Sequence, residues 1–477
     1  MNLTIASIAL LLMSGTVLDS AHAANLKTCL TETVDPAKDY FPDKVVPNFS
    51  KLWSISYHNT YKILKNLDEG TSYILYQCGT EPPSGIEANL TIPVPLQGGV
   101  ALSTTVHISH FELLGLRDEL KAYIGDPKWI SSPCMNDRIA SGETINVRYP
   151  DLDGAIEGLL NTTGPELVLL YNPVMDVAPF ANYVATSEWK ERNNHGIGEW
   201  HKFYASFYNL EAQANTDFEE ILKNYECTSI NANKVLSDVE VKPVVVFAEF
   251  STFCGGWSVG SCPNFYCDHV NDCGAMILED PLTGSVINPE CGVEFPYMTT
   301  DEFVNFAKDA DVWIYPGHGD YYWDTAYADF GEKLDEMKAV KNKQVFDTVL
   351  SGLNTWYEYR LVEYGESLLL ESLLPTLTSL TLYLNNYLDA DVVLEDMCTI
   401  VGAGHPLFPH KRVFFRNVFQ EDVGDLGQCV DPTIGYFRRD DVCTELVVLN
   451  DNSSAGTFDF GLGLLANAIL VASALIY

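Results

Sequence analysis

A 27-residue segment in the middle of the chain, Glu199 to Tyr225, carries the pattern that most limits how the rest can fold. Trp200, Phe203, Phe207, Leu210, Ala214, Phe218, Ile221 and Tyr225 recur at three- and four-residue steps with polar residues between them, which is the period of an amphipathic helix. At 1.5 Å per residue it would reach about 40 Å, with Asn209 placed to cap a break. What lies on either side repeats one plan. Before it, Gly99-Val100-Ala101-Leu102 runs into Ser103-Thr104-Thr105. HISHFELLGLRDEL follows, in which Ile108, Phe111, Leu114 and Leu116 share a face, and a second apolar strand spans 166 to 171. After it, VVVFAEF (244–250) reads as a buried strand, TTDEFVNFAKDA as a helix with Thr299 or Thr300 as cap and Glu302 in its first turn, and DADVWIYPG (309–317) as another strand. Strand, helix, strand with long crossovers argues for parallel sheets. The expected fold class is therefore α/β, two doubly wound lobes joined by a long helix. The 477-residue length fits two cores better than one. Near the start, LWSISY (52–57) and YKILKNL (61–67) flank His58-Asn59-Thr60 as a hairpin, and SYILYQCG follows.

The ends assign the compartment. Ile5 to Met13 is an apolar run followed by Ala21-His22-Ala23, the layout of a secretory signal. Ser453-Ser454-Ala455-Gly456, a short spacer and the apolar stretch from Gly461 to Tyr477 have the layout of a glycolipid-anchor signal, a single membrane helix being the alternative. The expected organisation is a signal at 1–23, a first lobe at 24–197, a connecting helix at 198–226, a second lobe at 227–450 and an anchor segment at 453–477. Outside the cell the 12 cysteines are expected to pair, those from Cys254 to Cys291 stapling a long loop. That weighs against reading Cys267-Asp268-His269 and Cys273 as a zinc knuckle. Asn48, Asn89 and Asn161 occupy glycosylation sequons. A net charge of −37 repels nucleic acid and anionic surfaces, and favours neutral or cationic ligands over polyanions.

One motif suggests chemistry. Gly256-Trp257-Ser258-Val259-Gly260 matches the G-x-S-x-G of serine hydrolases, which requires a strand running into the first glycine and a helix leaving after the serine. Here the strand ends near Phe250, six residues before Gly256, and Gly260-Ser261-Cys262-Pro263-Asn264 cannot start a helix. Ser258 is not expected to be a nucleophile, and no catalytic residue is assigned.

SISYHNTYKIL, YILYQCGT, VPLQGGVALSTTVHISHFELLGL, EWHKFYASFYNLEAQAN, KPVVVFAEFSTFCGGWSVGSCPNFYCDHVNDCGA, DADVWIYPG and ADVVLEDMCTIV occur in that order over about residues 45 to 425. These blocks resemble the class III periplasmic substrate-binding proteins that serve iron-siderophore and vitamin B12 importers. With a secretory signal, sequons and an anchor-like tail, the chain most resembles the cell-surface siderophore-binding proteins of diatoms.

The resemblance implies a non-catalytic protein that holds a ferric siderophore, of hydroxamate type, between two lobes that close little. Iron would come wrapped in the siderophore's own oxygens, so no intrinsic cofactor or protein metal ligand is required. Trp257 aligns with a loop tryptophan of the family and would form a stacking wall, with Tyr266 closing it. Arg360 resembles a family arginine and would donate to hydroxamate oxygens, a salt bridge to Glu358 or Glu363 being its competing use. Ser103, Thr104 and Thr105 offer hydroxyl and backbone donors at a helix start, or cap that helix. Tyr171, Trp189 and Tyr315 are further candidates, and His318 with Asp320 is a possible metal-ligand pair. The implied partners are the siderophore and a membrane ferric reductase or endocytic machinery. The implied setting is the outer face of the plasma membrane, with passage to endosomes. Cobalamin or haem as ligand, direct ferric-ion capture in the manner of transferrins, and extracellular hydrolysis through Ser258 stay open. The chain departs from the bacterial pattern in its 12 cysteines and in the inserted-looking stretch from Glu363 to Leu388.

Overall fold

The computed structural model describes residues 24–147, 167–170, 182–282, 284–286, 297–317, 321–359, 390–429 and 443–446. Three sheets organise them. The first holds β1 (Trp53–Tyr57), β2 (Tyr61–Asn66) and β3 (Thr71–Gln77) as an antiparallel meander, with β4 (Leu90–Val94) parallel to β3. The hairpin expected around His58-Asn59-Thr60 is present, in a sheet separate from the parallel one that follows it.

The second sheet is all parallel: β5 (Val100–Leu102), β6 (Leu120–Ile124), β7 (Ile145–Val147), β8 (Leu167–Leu170) and β9 (Tyr183–Ala185), in the order β7-β6-β5-β8-β9. That order, building outward from β5 in both directions, is the doubly wound one. Helix α1 (Val106–Leu113) follows β5, and α2 (Pro133–Ser141) follows β6. Ser132 caps α2 by accepting from the Met135 N–H, and Gly142 ends it at φ +83°, where a side chain would be strained.

Three helical pieces then occupy the mid-chain segment: α3 (Asn194–Gly198), α4 (Trp200–Ala205) and α5 (Glu211–Val235). The break falls at Asn209, which adopts φ +56°. Its amide donates to Leu26 O and Gln77 Oε1 and its oxygen accepts from the buried Lys62 ammonium, which also pairs with Glu211. The continuous period in the sequence therefore covers two helices on either side of one left-handed residue. The long one begins later and ends ten residues beyond Tyr225. At 25 residues α5 is about 37 Å long. Ala214 packs in the core of the first two sheets, whereas Phe218, Ile221, Tyr225 and Ala232 pack beneath the third.

That third sheet contains β10 (Val244–Ser251), β11 (Gly256–Val259), β12 (Met276–Ile277), β13 (Val312–Tyr315), β14 (Val345–Asp347) and β15 (Arg416–Asn417). β12, β10, β13 and β14 are parallel, while β11 and β15 run against their neighbours. Helix α6 (Phe265–Asp272) covers one face with α5, and α7 (Thr300–Ala307), α8 (Trp323–Leu334) and α9 (Lys338–Lys341) cover the other. The short α10 (Thr355–Tyr359) follows β14, and α11 (Ala390–Ile400) lies with α5 and α6. Thr299 begins α7 through a reciprocal capping box with Glu302, one of the two caps expected.

The fold class is thus α/β, with two doubly wound sheets, one all parallel and one with a parallel centre and antiparallel β11 and β15. Among the described residues no helix is long and apolar enough to cross a membrane. Five disulfides join Cys29–Cys78, Cys134–Cys429, Cys227–Cys443, Cys262–Cys267 and Cys273–Cys398, and Cys254 is also disulfide-bonded. The local staple expected from 254 to 291 is therefore only partly local: Cys273, at the end of α6, bonds to α11 because those helices pack together. Asn48 and Asn89 are exposed, as sugar acceptors must be. Residues 1–23, Asn161, the stretch from 363 to 388 and the tail from 453 lie outside the described residues.

Candidate functional site

In an open parallel sheet the ligand crevice lies outside the carboxyl ends of the strands, where the winding reverses. In the second sheet that point falls between β5 and β8, and in the third between β10 and β13. The two carboxyl edges meet. The loop after β6 contributes Lys128 and Ser131-Ser132, and the loop after β14 contributes Asn354 and, on α10, Glu358. Ser131 donates to Glu358 Oε2 from its backbone N–H (2.6 Å) and its hydroxyl (3.0 Å), and the Ser132 N–H reaches Oε1 at 2.9 Å. Nearby, the Asn354 amide donates to Lys128 O at 3.1 Å, and the Tyr322 hydroxyl donates to Asn354 Oδ1. Cys134–Cys429 adds a covalent tie between α2 and the segment after β15. Glu358 is completely buried. Burial outweighs its three hydrogen bonds and pushes its carboxyl up to about 8, with the Glu112 charge acting in the same direction.

Behind this contact lies a polar layer on the carboxyl edge of the second sheet. Helix α1 is buried from His107 to Leu113 and carries His107, Ser109, His110 and Glu112. His107 Nε2 is 2.9 Å from Thr186 Oγ1 and 3.3 Å from Glu188 Oε1, both just beyond β9. His110 sits among His107, Glu188, His201 and Tyr204, with no hydrogen-bond partner for either ring nitrogen among the described residues. Burial, aided by the neighbouring imidazoles, holds its pKa well below the usual value, so the ring is neutral. Glu112 accepts from Arg117 Nε (2.7 Å) and from the Ser132 hydroxyl (2.7 Å), which links the layer to the Glu358 contact.

The residues singled out in the sequence are distributed as follows. Ser103 and Thr104 are half-buried just after β5, on the carboxyl edge of the second sheet. Thr105 is buried and begins α1 without a side-chain cap bond, so its hydroxyl does not serve the helix as expected. Trp189, just past β9, is 43 % exposed with the Lys190 ammonium 5.1 Å from its ring centroid. Tyr266 is half-buried on α6, stacked on Phe247 at 4.2 Å and parallel to Trp356 of α10.

Trp257 needs a correction. It is 1 % exposed, stacks on Phe303 at 4.6 Å, meets Phe250, Trp313 and Phe330 edge-on, and donates its indole N–H to Thr300 Oγ1. As placed, the ring packs the core and offers a ligand no wall. Tyr315 is likewise buried, 6.3 Å from Trp257, its hydroxyl directed at Tyr321 O. Tyr171, His318, Asp320 and Arg360 lie outside the described residues.

Ser258 stands inside β11, opposite Glu249 of β10, so the glycine-flanked motif forms the return strand of a hairpin and not a nucleophile elbow. Cys267 and Cys273, the thiols of the suspected zinc knuckle, are both in disulfides. Among the described residues no three His, Cys, Asp or Glu side chains come together as a metal site. Three features escaped the sequence reading: the Glu358 contact, the α1 polar layer, and Phe253, 66 % exposed at the tip of the β10–β11 hairpin. A glutamate set between aromatic residues in WYEY was the one visible hint of a buried charge.

No family model matches the chain. It is 27 % identical over 224 residues to an uncharacterized lipoprotein of Methanocaldococcus jannaschii, covering 44 % of this chain and 49 % of that protein, so it spans about half the length of that relative. Among solved structures it is similar to a periplasmic haem-binding protein of Pseudomonas aeruginosa (11 % identity, 67 % of this chain and 97 % of the other, TM-score 0.43). It is also similar to FhuD2 of Staphylococcus aureus with bound ferrioxamine B (14 %, 55 % and 91 %, TM-score 0.38). At these scores the likeness carries no argument about ligand or mechanism.

Proposed function

We propose that this chain is a solute-binding protein for ferric siderophores, hydroxamate type, acting in iron uptake by holding its ligand without converting it. The observation that supports the reading is the meeting of two doubly wound carboxyl edges at the Ser131/Ser132–Glu358 contact, on segments that follow β6 and β14, each one strand from its sheet's switch point. The lobes of this reading are residues 24–197 and 227–450, with α5 as most of the spacer between them. Ser103, Thr104 and Trp189 are its ligand contacts among the described residues. Tyr171 and Arg360 join them by their sequence positions after β8 and after Glu358. Iron arrives inside the siderophore, which needs hydrogen-bond donors and an aromatic surface from the protein and no metal ligands. The setting is the outer face of a membrane, reached through the signal at 1–23 and held by the anchor segment at 453–477; that the archaeal relative is a lipoprotein agrees with such tethering. Hand-over of iron falls to a ferric reductase or to endocytosis.

Trp189→Ala is expected to weaken binding of a ferric trihydroxamate by about 1–3 kcal/mol, the range of an aromatic hot spot. Unchanged affinity in that variant would remove Trp189 from the site. The hydrolase reading predicts that Ser258→Ala abolishes an esterase activity. A strand-interior serine predicts no activity to lose.

A further inference from the structure

The last described segment, residues 443–446, is stapled to the long helix. Cys443 is disulfide-bonded to Cys227 of α5, and its N–H donates to Asn224 Oδ1 (3.2 Å). Asn231 donates to Thr444 O (2.9 Å) and accepts from the Leu446 N–H (2.7 Å), while the Lys234 ammonium donates to Leu446 O (2.8 Å) and pairs with Glu445. Partners at 224, 227, 231 and 234 follow one face of α5 toward its carboxyl end, so the segment is directed at the place where the chain leaves α5 for β10. Ser453, where the proposed anchor segment begins, lies seven residues beyond Leu446. At about 3.6 Å per residue that is a reach of roughly 25 Å at most.

The surface beside this helix end is the amino edge of the third sheet. Met276, which begins β12, donates its N–H to Pro243 O just ahead of β10, and its side chain is 53 % exposed. Val239 and Val241, on the connection from α5 to β10, are also exposed, Val241 at 80 %. Lys242, Lys308 and Lys343 stand exposed ahead of the parallel neighbours β10, β13 and β14, where Asp238, Glu240 and Asp309 offset them and Lys338 pairs with Asp311. In a chain of net charge −37 this edge carries little of the excess, so a headgroup layer repels it less than the chain as a whole. The contact between the two sheets lies on their carboxyl edges. Across the eight residues of β10 that is about 25 Å away.

We propose that the amino edge of the third sheet is the membrane-facing surface of this protein, resting Val239, Val241 and Met276 on a lipid bilayer with the carboxyl-edge junction turned to the outside medium. The inference rests on the anchor segment at 453–477 proposed above. It does not depend on which ligand the junction holds. The staple on α5 sets the orientation, because so short a reach cannot bring the carboxyl edge to the bilayer while the tail leaves from the opposite side.

The test is lysine footprinting of the full chain on the surface of a secreting eukaryotic cell, with a protease site inserted between Asn450 and Asp451. A membrane-impermeant amine-acylating reagent is applied before and after the tether is cut, and each lysine is read by mass spectrometry. On the tethered chain Lys242, Lys308 and Lys343 should react about threefold more slowly than after cutting, as expected for groups held at an interface, while the exposed Lys128 by the junction reacts equally in both. Val241→Glu with Met276→Glu, two exposed positions, should abolish that difference and leave the chain on the cell. Protection of Lys128 instead, equal rates at all four lysines, or protection that survives the double substitution would each overturn the proposal while the anchor reading stands. Recovery of the uncut chain from the medium would overturn the anchor reading, and this proposal with it.

Discussion

Replacing Glu358 by Gln tests the junction through its pH dependence. The carboxyl links the segments that follow β6 and β14 from complete burial and ionises near pH 8, whereas in the unfolded chain it would ionise near 4.5. A folded-state pKa raised in this way gives stability that is fully present below pH 4.5 and is lost as pH rises through 8, because ionisation is easier once the chain unfolds. At about 1.4 kcal/mol per pH unit, the loss between pH 5 and pH 8 is roughly 4 kcal/mol. Gln cannot ionise and keeps nearly the same shape. The stability of the native protein relative to Glu358→Gln, measured by urea unfolding at pH 5, 6.5 and 8, should therefore fall by about 4 kcal/mol across that range. Groups that do not interact with Glu358 are common to both proteins and cancel in the difference, which leaves Glu358 and its coupling to Glu112. A difference that stays constant with pH would show that Glu358 does not titrate in a buried junction, and the reasoning would fail.

Two further perturbations separate packing from binding. Trp257→Ala removes a fully packed core ring and should cost about 3–5 kcal/mol of stability, read as a fall in Tm; an unchanged Tm with lost ligand affinity would return Trp257 to the binding surface. Replacing Cys134 and Cys429 together by Ser should lower stability by about 2–5 kcal/mol. It should also weaken ligand binding, since the tie joins α2 to the segment after β15 next to the Ser131/Ser132–Glu358 contact, and calorimetric titration of that variant should detect the change.

Much of the architecture could be read in advance because it rests on local pattern. The apolar run 244–250 became β10, and the Thr299–Glu302 spacing became a capping box. Long-range contacts were not legible. Helix α1 was expected to show one apolar face with Ile108 and Phe111, but the side bearing His107, His110 and Glu112 is buried too, because α4 and α10 close over it. Asn209 was visible as a break, while its partners Leu26, Lys62 and Gln77 lie over a hundred residues away, where no period can point to them. The same distance hid the main contact of the site: Glu358 meets Ser131 across 227 residues. Trp257 was chosen by its place in a block of sequence, and the antiparallel pairing of β11 with β10 turned it inward.

Fluorescence titration of the full chain with ferric trihydroxamates, followed by mass spectrometry of the recovered ligand, bears most directly on the claim that the junction holds a ligand and leaves it unchanged. Saturable one-to-one binding with the siderophore recovered intact is the expected result. Hydrolysed ligand, or no saturation by any ferric siderophore, would contradict it.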